Sequence, residues 1–279
     1  MIYKNIVTSE ELRDRVEDKS VVIVDCRFQL GEPTKGLEEF NKDHLTGALY
    51  FDLEKDLSAT ISKHGGRHPL PNIEKFVQLL SRVGIDSSKK VIAYDDQGGA
   101  MAARLWWMLK YVGHDNVAIL NEGFSHWKKK GYPTTKEVVE SEPTNFVPNI
   151  QYNMLQSKEE VMDSLNDPNV LLIDSRAEER FTGKIEPIDP VAGHIPGAVN
   201  EDWQHRLTKT GEWKSKEDLE KDLGKYRDDR KQLIVYCGSG VTACANIIAL
   251  TELGLKPKLY AGSWSDWITY EENSVEVGK

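Results

Sequence analysis

The sequence of 279 residues predicts an α/β protein of two similar domains, each a mostly parallel sheet with helices on both faces. Two observations support this prediction. Short apolar runs alternate with segments of helical periodicity along the chain, which is typical of parallel sheets that are covered on both faces. In addition, four landmarks of the first half recur in the second half in the same order, which indicates a duplicated domain.

The internal repeat consists of four pairs of matching segments. Between the two halves, residues 134–150 are rich in Glu, Pro, Thr and Asn and show no sustained period, which is typical of an exposed linker. We therefore predict a first domain over 1–133, a linker over 134–151 and a second domain over 152–279. The matching segments are 21–27 and 170–176, 44–48 and 194–198, 91–95 and 233–237, and 123–127 and 263–267.

The individual elements follow from apolar runs and from the glycines that end helices. Short apolar runs predict buried strands, and longer segments of helical period that stop at a glycine predict helices. In the first half we predict strands at 21–24, 90–94 and 117–120 and helices at 73–83, 100–111 and 125–130. In the second half we predict strands at 170–173, 232–236 and 258–260 and helices at 216–223 and 242–253.

Composition and charge exclude several function classes. The formal net charge of −9 argues against a broad nucleic-acid surface. No apolar run approaches the roughly 20 residues that a membrane-spanning helix needs. Cys26, Cys237 and Cys244 form neither a disulfide framework nor a metal-ligand spacing. We therefore expect a cytoplasmic protein with no nucleic-acid or membrane partner.

The segment from Cys237 to Thr242 is the strongest candidate for a functional site. The strand 232–236 ends at Cys237, two glycines then allow a tight turn, and a helix begins near Thr242. Backbone N–H groups and the positive end of the helix dipole face a thiol placed there, and both favour the nucleophilic thiolate. Ligands of parallel α/β folds bind at the carboxyl ends of strands. The alternative is a buried structural cysteine, which we expect for Cys26 and Cys244.

The position six residues after Cys237 separates two cysteine chemistries. A phosphatase with a cysteine nucleophile needs an arginine there to bind phosphate in bidentate fashion, and this chain has Ala243. Phosphate-monoester hydrolysis is therefore disfavoured. The remaining ring of N–H donors suits a thiolate or a persulfide anion.

Over nearly its full length the chain resembles the tandem-domain rhodanese-type sulfurtransferases, the family of thiosulfate and 3-mercaptopyruvate sulfurtransferases. The residues that show the resemblance are the Cys-Gly-Ser-Gly-Val-Thr-Ala loop at 237–243, the paired Asp-x-Arg and His-x-x-Gly-Ala elements, and Gly-Ser-Trp-Ser-Asp-Trp at 262–267. The resemblance implies two rhodanese-like domains with chemistry only in the second one. Asp95 stands where the first domain would need its cysteine, so the first domain is expected to be catalytically silent.

The resemblance further implies a ping-pong reaction through a Cys237 persulfide. A small anionic donor loads the sulfur, and cyanide, a thiol or a thioredoxin-like protein accepts it. Neither a metal nor an organic cofactor is required. The loop residues Gly238, Ser239, Gly240, Val241 and Thr242 are expected to bind the anion. The competing hypothesis is a redox-sensing or sulfur-carrying module that does not turn over small donors.

The sequence indicates the identity of the sulfur donor less clearly than it indicates the type of reaction. Gly238 and Ser239 resemble the loop of the mercaptopyruvate-type members, in which two arginines hold the substrate carboxylate. Arg180 matches the first of these arginines, and a structural salt bridge is its alternative role. The second falls near Asp189, where the sequence has no arginine.

Three further features of the sequence have candidate roles near this site. The resemblance implies that Ser239 relays a proton with a histidine of the first half, for which His44 is the candidate. The alternative for His44 is a structural role as a hydrogen-bonding loop residue. Its acidic partner is not assigned. Trp264 is a candidate wall of the pocket. The cluster Lys63–His68 is basic and glycine-rich but lacks the strand-to-helix context of a phosphate loop.

Overall fold

The computed structural model describes residues 5–228 and 231–278. No helix in these two ranges is both long and apolar enough to cross a membrane. The strands are β1 (Ile6–Val7), β2 (Val21–Asp25), β3 (His44–Leu45), β4 (Leu49–Tyr50), β5 (Lys90–Tyr94), β6 (Val117–Leu120), β7 (Thr134–Thr135), β8 (Leu155–Gln156), β9 (Val170–Asp174), β10 (Val199–Asn200), β11 (Gln232–Tyr236) and β12 (Lys258–Tyr260). The α-helices are α1 (Ser9–Arg13), α2 (Lys35–Lys42), α3 (Ile73–Arg82), α4 (Ala100–Tyr111), α5 (Gly123–Lys129), α6 (Lys158–Ser164), α7 (Glu178–Phe181), α8 (Lys216–Leu223), α9 (Ala243–Glu252) and α10 (Ser263–Trp267).

The chain divides into two compact units that are not continuous in sequence. Unit 1 comprises Met1–Ala59, Pro71–Gln151 and Lys209–Trp213. Unit 2 comprises Thr60–Leu70, Tyr152–Thr208 and Lys214–Lys279. The domain boundaries predicted from the sequence remain a prediction. The compact units differ from a simple division of the chain into two halves. The segment Thr60–Leu70, which the sequence places in the middle of the first half, packs with the second half.

Unit 1 is built on a parallel sheet with the strand order β1-β6-β5-β2-β4. Strands β2 and β5 are its centre, with Val21 opposite Lys90 and Asp25 opposite Tyr94. Helix α4 is buried along almost its entire length, as expected for a helix whose sequence is apolar on every face. Strands β3 and β7 form a separate antiparallel pair.

Unit 2 repeats this architecture with the strand order β10-β9-β11-β12-β8, again parallel throughout. Its central strands β9 and β11 align Val170 with Gln232 and Asp174 with Tyr236. Helix α9 follows β11 and is buried on all sides. Both units therefore match the predicted fold class. In each unit a strand end at the middle of the sheet is followed by a loop and a buried helix.

The longer predicted strands and helices are confirmed, whereas the two-residue strands were not predicted. Strands 90–94, 117–120, 232–236 and 258–260 and helices 100–111 and 216–223 occur with the predicted bounds. Strands β1, β3, β4, β7, β8 and β10 have two residues each, which is too short for a recognisable period. They exist because neighbouring strands supply hydrogen-bond partners.

The Asp-x-Arg pairs form buried salt bridges in both units. In unit 1, Arg27 Nη2 lies 2.6 Å from Asp25 Oδ2, and in unit 2, Arg176 Nη2 lies 2.6 Å from Asp174 Oδ2. All four side chains are buried. Each arginine also donates to the backbone carbonyl of the residue before the repeated histidine, Asp43 in unit 1 and Gly193 in unit 2. The pairs thus fix the loop after the central strand in both units.

Candidate active site

Cys237 lies at the carboxyl end of β11, and two hydrogen bonds of its backbone join it to the start of α10. The Cys237 N–H donates to Ser263 Oγ at 3.1 Å, and the Cys237 carbonyl accepts from the Trp264 N–H at 3.0 Å. Gly240 has a φ of +74°, and a Cβ added there would lie 2.2 Å from the Ala261 carbonyl oxygen. Only glycine fits this turn, so the sequence of the loop determines its shape.

The loop environment favours the thiolate of Cys237. The residue is 1 % exposed, and burial acts to raise the pKa of its thiol. The Thr242 hydroxyl and the backbone N–H groups of Ser239, Ala243 and Gly240 act in the opposite direction and outweigh burial. The pKa of Cys237 is therefore below that of an ordinary thiol, because hydrogen bonds to the sulfur stabilise its charged form.

Two arginines converge on the loop beside Cys237. A Cβ added to Gly238 would lie 3.0 Å from Nη2 of Arg67 and 3.4 Å from Nη1 of Arg180. Arg180 is the predicted residue of α7. Arg67 comes from the segment Thr60–Leu70 and was not predicted as a site residue. Two planar hydrogen-bond donors with positive charge thus lie next to Cys237.

Asp189 and Glu186 hold these arginines in place. The Asp189 carboxylate accepts from Arg180 Nη2 at 2.9 Å and forms an ion pair with Arg67. Glu186 accepts from Arg180 Nε at 3.0 Å and lies 3.4 Å from Nη1 of Arg176. Burial, followed by the positive charge of Arg180, lowers the pKa of Arg67 from its ordinary value. Position 189 therefore contributes a carboxylate that orients the arginines rather than an arginine of its own.

Ser239 has a histidine partner, and that partner is His68. The Ser239 Oγ lies 2.8 Å from His68 Nδ1, and both residues are buried. His44, the predicted candidate, lies in unit 1 with its ring nitrogens 2.7 Å from the Phe40 carbonyl oxygen and 3.1 Å from that of Glu137. Its ring also stacks on Phe40. These contacts fit a structural role for His44.

The segment Thr60–Leu70 is held against the start of α10 by side-chain hydrogen bonds. Asp266 Oδ1 accepts from the Gly65 N–H at 2.7 Å, and Ser265 Oγ accepts from the Arg67 N–H at 3.0 Å. His64 Nδ1 lies 2.8 Å from Thr269 Oγ1. The Gly-Ser-Trp-Ser-Asp-Trp segment therefore positions Arg67 as well as the cysteine loop.

The other predicted residues occupy the interior around the site. Val241 is buried in the loop, and Trp264 is fully buried, with the guanidinium of Arg176 4.7 Å from its ring. The Trp264 Nε1–H donates to the Val191 carbonyl at 2.9 Å. The Trp264 side chain is thus part of the buried interior, and its backbone N–H holds the Cys237 carbonyl. Cys244 donates to the Gly240 carbonyl at 3.5 Å, consistent with its predicted structural role.

In unit 1 the equivalent loop contains a carboxylate in place of a thiol. Asp95 Oδ1 accepts from the N–H groups of Gln97 and Gly99 at 2.8 Å, and Asp95 Oδ2 accepts from those of Met101 and Ala102 at 2.7 and 3.0 Å. Both loops of this chain thus have a ring of N–H donors. In unit 1 the Asp95 carboxylate accepts the hydrogen bonds of that ring. A carboxylate cannot carry sulfane sulfur.

Comparison with known proteins agrees with this architecture. The profile of the rhodanese-like domain matches the chain twice, at residues 8–130 and 157–270. A Pseudomonas aeruginosa protein named "Probable 3-mercaptopyruvate sulfurtransferase" is 38 % identical over 278 residues, which cover 98 % of each chain. The thiosulfate sulfurtransferase of Mus musculus is 33 % identical, and the match covers 100 % of this chain and 97 % of the mouse protein.

A solved structure extends the likeness to three dimensions. The 3-mercaptopyruvate sulfurtransferase from Leishmania major superposes with a TM-score of 0.82 at 30 % sequence identity. The match covers 95 % of this chain and 74 % of that chain.

Proposed function

Since the chain belongs to the rhodanese-like family and contains its domain twice, we propose that it is a sulfurtransferase with Cys237 as its nucleophile. The observation that supports this most directly is the ring of hydrogen-bond donors around a buried thiol whose pKa is lowered. A buried cysteine in apolar surroundings has a raised pKa, as burial gives Cys26 in unit 1. Cys237 and Cys26 are both buried, but only the surroundings of Cys237 lower the pKa of its thiol.

In the first half-reaction the Cys237 thiolate attacks the outer sulfur of the donor. A new S–S bond forms on Cys237, and the bond between the donor's sulfur and its remaining part breaks. The electron pair leaves with sulfite when thiosulfate is the donor, and with the enolate of pyruvate when 3-mercaptopyruvate is the donor. The N–H donors of the loop stabilise the negative charge both on the thiolate and on the persulfide.

The reactions with the two donors differ in whether a proton must be transferred. Sulfite leaves as a stable anion and needs no proton. The enolate of pyruvate must gain a proton on carbon, while the transferred sulfur, which arrives as a thiol, must lose one. Ser239 and His68, 2.8 Å apart, form a path that supplies and collects this proton near the leaving group.

We favour 3-mercaptopyruvate as the donor because the site provides two guanidinium groups for one carboxylate. Arg180 and Arg67 both border Gly238, next to the nucleophile. The planar guanidinium matches a carboxylate in bidentate fashion.

In the second half-reaction, cyanide or an acceptor thiolate attacks the outer sulfur of the persulfide, and the electron pair returns to Cys237 as the thiolate.

Mass spectrometry of the donor-treated protein tests this proposal. After incubation with 3-mercaptopyruvate or thiosulfate and removal of the donor, the peptide that contains Cys237 is expected to gain the mass of one sulfur atom. Addition of cyanide should remove that mass and release an equal amount of thiocyanate. If neither donor loads Cys237 while mild peroxide oxidises it, the protein is a redox-sensing module and the proposal fails.

The Ser239→Ala variant separates the two donor reactions. We expect kcat for 3-mercaptopyruvate to fall about 100-fold, because a positioned proton relay contributes at least that much to the rate. The thiosulfate reaction should change by no more than about threefold, because sulfite needs no proton to leave. Both rates are measured as thiocyanate formation.

The matched control is Ser87→Ala, which removes an exposed hydroxyl of unit 1 and should leave both rates unchanged. His68→Gln should reproduce the pattern of Ser239→Ala. An equal loss for the two donors in Ser239→Ala would show that this pair orders the loop instead of moving a proton.

A further inference from the structure

The carboxylate of Asp189 lies between the two arginines that border the nucleophile. One oxygen is 2.9 Å from Nη2 of Arg180, and the other is paired with Nη1 of Arg67. The Asp189 side chain is 3 % exposed, so water screens these pairs poorly. The Asp189 N–H and the Ile188 N–H both donate to Glu186 Oε1, which fixes the loop around the carboxylate.

The positive and negative side chains around Asp189 are equal in number. Arg67 and Arg180 pair with Asp189, and Glu186 pairs with both Arg180 and Arg176. Arg176 is in turn paired with Asp174. The three guanidinium groups are thus balanced by three carboxylates, and the Cys237 thiolate adds one negative charge. An incoming anion therefore meets much less positive potential than two arginines alone would supply.

We propose that Asp189 determines the donor preference of the enzyme by charge, favouring a donor with one negative charge over a donor with two. This inference rests on the proposed sulfur-transfer function. 3-Mercaptopyruvate carries a single carboxylate, which binds by hydrogen bonds to the guanidinium groups. Thiosulfate is a dianion, and the potential at the site acts on each of its charges. The negative charge of Asp189 therefore disfavours thiosulfate about twice as strongly, in free energy, as it disfavours the monoanion.

The charge hypothesis is tested with Asp189→Asn, which keeps the shape of the side chain and removes its charge. We expect the ratio of kcat/KM for thiosulfate to kcat/KM for 3-mercaptopyruvate to rise about tenfold at low ionic strength. Cyanide is the acceptor in both assays. Asp189→Ala, a second neutral variant, should shift the ratio in the same direction.

Two controls separate charge from geometry. Asp189→Glu keeps the charge, so the ratio should stay within about twofold even if both rates fall. Glu179→Gln removes the same charge from an exposed position on α7 and should also leave the ratio unchanged. If Asp189→Asn and Asp189→Ala load Cys237 normally but keep the original ratio, the inference is overturned.

The outcomes for the inference and for the proposed function are distinguishable. Loading of Cys237 in the unaltered protein tests sulfur transfer, whereas the ratio in the Asp189 variants tests the charge effect. An unaltered protein that is loaded by both donors, with Asp189 variants that do not shift the ratio, would leave the proposed function intact and refute the inference alone.

Discussion

Replacing Cys237 with serine is expected to lower thiocyanate formation from either donor at least about 1,000-fold, because the attacking thiolate is lost. A serine hydroxyl in the same ring of N–H donors stays protonated at neutral pH, and it forms no persulfide. The loss should be in kcat for both donors, because the arginines that bind them are unchanged. Steady-state assays with thiosulfate and 3-mercaptopyruvate measure the effect.

Cys26→Ala provides the control for nonspecific thiol chemistry. Cys26 is buried in unit 1, and burial raises the pKa of its thiol, so its loss should not affect sulfur transfer beyond a modest effect on stability. Full activity in Cys237→Ser would place the sulfur on a different group and would contradict the proposed mechanism.

Replacing Arg67 or Arg180 with alanine is expected to lower kcat/KM for 3-mercaptopyruvate about 100-fold in each case, because each change removes a charge-assisted hydrogen bond to the carboxylate. The loss should be at least as large for thiosulfate, because a dianion loses more than a monoanion when a positive charge is removed, and two oxygens of its sulfonate can also accept from one guanidinium. The measurement is kcat/KM for each donor, with thermal unfolding as a check on the fold.

Lysine substitutions separate charge from shape at the same positions. Arg67→Lys keeps the positive charge but loses the bidentate geometry, so we expect it to restore the thiosulfate reaction more than the 3-mercaptopyruvate reaction. Arg13→Ala, at an exposed and partly solvated ion pair of unit 1, should change neither rate. An unchanged 3-mercaptopyruvate rate in both alanine variants would exclude Arg67 and Arg180 as the carboxylate-binding residues.

The parts of the site that are local in sequence could be predicted, and those that depend on long-range contacts could not. Cys237 and its glycines lie in one short segment between a strand and a helix, so their local geometry follows from residue types alone. The same holds for Arg176, whose partner Asp174 is two residues away. Arg67 and Asp189 are 122 residues apart, and His68 and Ser239 are 171 residues apart. No period or motif links such positions.

The internal repeat argues against His44 as the proton relay. It matches His194 of the second half, and the structure gives both histidines the same environment. His44 Nδ1 lies 2.7 Å from the Phe40 carbonyl oxygen, and His194 Nδ1 lies 2.8 Å from that of Phe181. A residue that recurs in both halves more often serves the shared fold than the chemistry of one half. His68 has no counterpart among the four repeated landmarks, and the sequence indicated only that it lies in a basic, glycine-rich cluster.

The segment Thr60–Leu70 belongs to unit 2, and this limits how far the chain can be shortened without loss of site residues. A fragment that begins at residue 152 would retain the nucleophile and Arg180 but would lack Arg67 and His68. The first half has Asp95 at the position of the cysteine, yet its sequence contains Arg67 and His68, which lie next to the Cys237 loop. Deletion of the first half would therefore remove part of the proposed site around Cys237. We therefore expect sulfur transfer to require both halves of the chain.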